Sequence, residues 1–141
     1  MIEWNDTLKT GHADVDADHC GLIALINTLE RDLQNRTAAH SIRDAILHLQ
    51  EHIRGHFERE EARMLEVGCP AYARNRAEHI RFTQRLDGWA QRLENEGPSL
   101  SLAFDVYHGT GNWFASHIPG TDCELRGCTQ TGRLPTASSC R

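Results

Sequence analysis

The stretch HFEREE, residues 56–61, sets His56 and Glu60 four residues apart. On a helix that spacing stacks the two side chains on one face, with Cβ atoms about 5–6 Å apart. The face continues Ile42, Ile46 and Leu49, so it points at a core. A carboxylate there is costly unless it is paired or bound to a metal. An isolated HxxxE is more often a buried hydrogen-bonded pair, but this one has company. His19 shares a stripe with Leu22, Ile23 and Ile26, and His79 shares one with Phe82 and Leu86. His117 follows Trp113 by one turn, and Asp122, just past Pro119, is placed to fold back over the end. Imidazoles and carboxylates converging from several helices are what a dinuclear metal site in a bundle core requires.

The donor set narrows the metal. Four imidazoles and two carboxylates, with no cysteine on the ligand faces, suit iron and would also accept zinc or manganese. Six protein donors are too many for one tetrahedral zinc. Two carboxylates can each span two adjacent cations and offset their charge, so a dinuclear site is the economical reading.

Those residues need helices to hold them. Leu22, Ile23, Ile26, Leu29 and Leu33 recur at three and four, predicting a first helix whose start is favoured by Asp16 and Asp18. Asn35-Arg36-Thr37 breaks the pattern. A second helix is expected from about Ala39 to Val67, stopped by Gly68. Pro70 opens the third, which carries Tyr72, Phe82, Leu86, Trp89 and Leu93 and ends at Gly97-Pro98. The fourth, Ser99 to Ile118, is less clean because Gly109 and Gly111 weaken it. Short breaks favour antiparallel neighbours. The expected fold is therefore all-α: an up-down-up-down four-helix bundle with an extended N-terminal arm over Met1–Val15.

Composition agrees with one domain. The chain has 141 residues, 39% hydrophobic and 25% charged, and a formal net charge of -5 with scattered arginines. That balance argues against nucleic acid as a partner. A mean hydropathy of -0.55 with no long apolar run predicts no membrane span. The start MIEWNDTLKT has no secretory pattern, so a cytoplasmic protein with reduced thiols is expected despite five cysteines. Residues 1–122 form the expected domain. Residues 123–141, rich in Thr, Ser, Gly and Cys, are expected to be a poorly ordered tail or the start of a linker.

Taken together the pieces resemble the bacteriohemerythrins, the bacterial branch of the hemerythrin family, over about residues 2–122. The matching pieces are Trp4 followed by Gly11, DADH at Asp16–His19, HFEREEARM at His56–Met64, HIRF at His79–Phe82 and WFASHIPGTD at Trp113–Asp122. The resemblance implies two iron ions with a bridging oxo or hydroxo group, binding O2 without turnover. By position, His19 and His56 would hold the iron open to O2, His79 and His117 the other, and Glu60 and Asp122 would bridge. Ile23, Ile53 and Trp113 are candidates for the O2-pocket wall. Family members are often fused to signalling modules, so a sensory role with a partner domain is a variant of carriage.

The chain departs from the family at one ligand. Relatives place a third histidine on the second iron, four residues before the equivalent of His79; here that residue is Asn75. Asn75 could bind through its amide oxygen, solvent or a small anion could take the position, or another histidine could move in. Solvent beside Asn75 ranks first. His52, one turn before His56, and His12 in the arm are the reserve histidines, with His52 more simply read as partly exposed. His40, His48 and His108 read as surface. A second exchangeable position predicts a short-lived oxygenated form and fast autoxidation. The alternatives are a peroxide- or nitric-oxide-reactive di-iron enzyme and a bundle that holds metal only structurally.

Overall fold

The computed structural model describes residues 1–119 together with Leu125 and Gly127. Four helices occupy it: α1 (Ala13–Gln34), α2 (Ala38–Glu66), α3 (Tyr72–Glu96) and α4 (Leu100–His117). Each packs on its sequence neighbour and α4 returns to α1, which closes the bundle. The four-helix prediction holds, and no strand occurs among the described residues. None of the helices is long and apolar enough to cross a membrane. The expectations for Asp122 and for residues 123–141 as a tail lie outside the described residues.

The bundle is apolar through one half and polar at its heart in the other. Leu22, Ile42, Ile46, Leu86 and Leu102 are 0–2% exposed and interlock in one cluster. Burying a side chain of this size contributes about 1.5–3 kcal/mol, so the cluster anchors all four helices. Toward the other end the same inward faces carry His19, His56, Glu60, Asn75, His79 and His117, each at most 2% exposed. A continuous apolar stripe thus hands over to polar side chains without leaving the core.

Three details correct the sequence reading. The first helix begins at Ala13, inside the predicted arm, with His12 at its N-cap. Asp16 is consequently no cap: it lies in the first turn, almost fully buried, and accepts from the Thr10 backbone N–H (2.8 Å) and hydroxyl (2.9 Å). The arm before it includes a 3-10 turn at Asp6–Leu8 and is pinned to α1 by a reciprocal pair between Ile2 and Asn27. The fourth helix runs unbroken through both glycines. Gly109 is required there by a close approach: a Cβ would lie 2.5 Å from Cη2 of Trp89. Lastly, Cys20 is disulfide-bonded, against the expected reduced thiols, and Cys69 is buried.

Candidate metal centre

Five of the predicted ligands meet, four imidazoles around one carboxylate. Glu60, fully buried on α2, presents its two oxygens in two directions. Oε2 lies 3.3 Å from Nε2 of His19 and 3.3 Å from Nε2 of His56. Oε1 lies 3.3 Å from Nε2 of His79. The imidazoles also pair with each other, His19 with His56 at 3.1 Å and His79 with His117 at 3.1 Å, all through Nε2. Two groups able to hold a metal result, His19–His56–Glu60 and Glu60–His79–His117, sharing the carboxylate.

The outer side of the rings explains why Nε2 faces inward. Glu78 accepts a hydrogen bond from Nδ1 of His117. Asp18 accepts a longer one, 3.4 Å, from Nδ1 of His56, and Glu61 lies 3.5 Å from Nδ1 of His79. A carboxylate on Nδ1 keeps the proton there and leaves the Nε2 lone pair bare, as metal-binding histidines need. Each of these carboxylates sits beside one ligand in sequence but serves a ligand of the next helix. The reason is geometric: a residue next to an inward ligand is turned about 100° around the helix and faces the neighbour.

Those bare nitrogens form the test of fit. First-row metals sit about 2.0–2.2 Å from nitrogen and oxygen donors, so donors at right angles lie about 3 Å apart. The observed separations of 3.1–3.3 Å match such an edge. The donor set therefore fits a pair of metal ions.

Asp18 is itself tightly held. Arg59 grips it with two hydrogen bonds of 2.7 Å. Burial opposes ionisation of Asp18, but its hydrogen bonds with His56 and Arg59 and the Arg59 charge outweigh it and hold the carboxyl down at about 2. The half-buried His52 donates from Nε2 to the Asp18 carbonyl at 2.7 Å. It fits because residue 21 is glycine: a Cβ there would lie 2.6 Å from the ring. His52 supports the helix that carries His19 and belongs to neither ligand group; His12 belongs to neither as well. His40, His48 and His108 are exposed, as read from sequence.

Asn75 is fully buried. Its Nδ2 donates to Oε1 of Glu60 at 2.5 Å and to Sδ of Met64 at 3.2 Å, which puts the amide on the His79 side. Among the described residues its buried Oδ1 has no hydrogen-bond partner.

Aromatic rings wall the centre. Trp113 stacks on His117 with centroids 4.4 Å apart, while Ile23 and Ile53 are buried in the apolar cluster. Ile53 also lines an open groove between α2 and α3 rather than a closed cavity. Sequence reasoning missed Phe57, stacked on His79 at 3.6 Å, and Phe114, edge-on to His19 at 6.5 Å. It missed Asp18, Glu61 and Glu78 too. The signal was there, an acidic residue immediately beside a ligand in DADH, EREE and EHIRF.

The family model described as hemerythrin HHE cation binding domain matches residues 10–125 of this chain. The chain is also similar to a bacteriohemerythrin from Stenotrophomonas maltophilia (strain R551-3). The two are 26% identical over 124 residues, which cover 86% of this chain and 77% of that protein.

Proposed function

The chain belongs to the hemerythrin HHE cation-binding domain family, and from that membership we propose that it is a di-iron protein that binds O2 and is not a turnover enzyme. The observation that carries the reading is the split of Glu60, one oxygen toward His19 and His56 and the other toward His79. A carboxylate shared in this way is what two adjacent cations need as a bridge. Bound iron would supply the electrons that reversible O2 binding draws on. The chain's own part is to hold the imidazoles through Asp18, Glu61 and Glu78 and to exclude bulk water with Phe57, Trp113 and Phe114.

The second metal position differs from the family pattern, and solvent fills it beside Asn75. The unpartnered Asn75 Oδ1 supports this, because it is an acceptor on the correct side for a proton of bound water. An exchangeable position there gives a short-lived O2-loaded protein and suits sensing or redox response better than storage.

Metal analysis of the purified full chain tests the first part, with two irons per chain expected. One iron, or zinc alone, would sink the di-iron reading. Stopped-flow mixing of the reduced protein with O2 tests the second. An O2-loaded form that persisted for hours would count against an exchangeable second position.

A further inference from the structure

On the Glu78 side of His117 a cavity of about 310 Å³ opens between α3 and α4. Its floor is aromatic: Trp113 stacks on His117 at 4.4 Å and on Phe82 at 4.3 Å. Arg81 and Arg85, one turn apart on α3, line it as well. Elsewhere on α3, Arg76 pairs with Glu61 and Arg92 with Asp105 and Glu96. Arg81 and Arg85 form no ion pair with the described residues. Arg85 is steered into place by Trp89, whose ring it covers at 5.1 Å, and by the missing side chain at Gly109, where a Cβ would meet its Nη2 at 3.0 Å. Among the described residues, the one carboxylate in the lining, Glu78, is turned onto His117.

A single exposed arginine is ordinary and solvated. Two that lack carboxylates, converge on one cavity and face an aromatic floor are a different arrangement, the more so in a chain of net charge -5. Guanidinium groups offer planar forks that match planar oxyanions bidentately. The flat face of Trp113 suits the same shape.

We propose that this cavity binds a small planar monovalent oxyanion, of the nitrite, nitrate or formate kind, between Arg81 and Arg85 over Trp113. Binding itself needs only these residues. Its consequence rests on the reading of His117 as a second-metal ligand: the anion would sit against the Glu78–His117 pair, behind that ligand.

Calorimetric titration of the metal-loaded full chain with sodium nitrate, paired with anomalous diffraction from bromide-soaked crystals, tests the site. Nitrate binding is expected to weaken roughly tenfold or more in R81Q/R85Q, because two charge-assisted contacts are lost. It should stay within about twofold in R31Q/R36Q, which removes the same charge from arginines elsewhere on the surface. Bromide should peak between Arg81 and Arg85 in the wild type and vanish in R81Q/R85Q. Arg81→Lys supplies a milder variant: it keeps the charge and loses the fork, so nitrate should weaken while bromide stays. Equal nitrate binding in both double variants, or bromide found only elsewhere, would overturn the proposal. Nitrate binding to protein whose metals ignore O2 would leave this site standing and defeat the di-iron reading. Loss of nitrate binding alone would do the reverse.

Discussion

Asp18→Asn isolates the support of one ligand without touching the ligand. In the structure Asp18 accepts from Nδ1 of His56 and from two nitrogens of Arg59. Its carboxyl is held at about 2 where 3.8 is ordinary. At about 1.4 kcal/mol per pH unit that gap is on the order of 2–3 kcal/mol in favour of the ionised form. Arg59 is 46% exposed, so solvent screens part of the attraction, and a loss of stability on the order of 1–2 kcal/mol is expected in the variant. The sign over pH follows from the lowered value. The contribution is complete above about pH 4 and fades as pH falls toward 2. Urea unfolding followed by circular dichroism measures it, read as wild type minus variant so that protonation of the histidines cancels. Metal affinity is the second readout. Losing a carboxylate behind a ligating histidine typically costs 10–100-fold, and chelator competition should find a loss of that order. A variant that unfolds at the wild-type urea concentration and holds its metal as tightly would refute the idea that Asp18 orients His56.

Three further outcomes follow from the same geometry. Asn75→His adds an imidazole next to Oε1 of Glu60, so the more weakly held of the two metals should resist chelator longer, by tenfold or more in competition titrations. Glu60→Gln should lose metal, by tenfold or more in chelator competition, because the carboxylate shared by the two groups is removed. Unchanged metal content in that variant would contradict the bridging role. Gly109→Ala gains helix propensity but drives a methyl into Trp89, and overpacking of about 1–3 kcal/mol should dominate and lower the melting temperature.

Much of this was legible in the chain itself, and for a definite reason. Helical periodicity fixes which residues share a face, so the inward stripes and the polar residues on them could be read before any coordinates. His19, His56, Glu60, His79 and His117 all sit on such stripes, and all five meet. Asn75 stood out only against the family resemblance, with its register set by His79 and Phe82.

What the sequence could not give is angular position between helices. Asp18, Glu61 and Glu78 look like ordinary surface acids when each helix is read alone; only packing turns them onto the Nδ1 atoms of neighbouring helices. The same holds for Gly21 and Gly109, which weaken a helix locally and are explained only by His52 and Trp89 pressing in from another one. The start of α1 was misplaced because Asp16 is a good capping residue by type, whereas its tertiary partner is Thr10 in the arm. Sequence thus determined which side chains gather at the centre. Tertiary structure decided how each one is aimed: Nε2 inward on a shared carboxylate and, for Asn75, an amide oxygen buried on the His79 side.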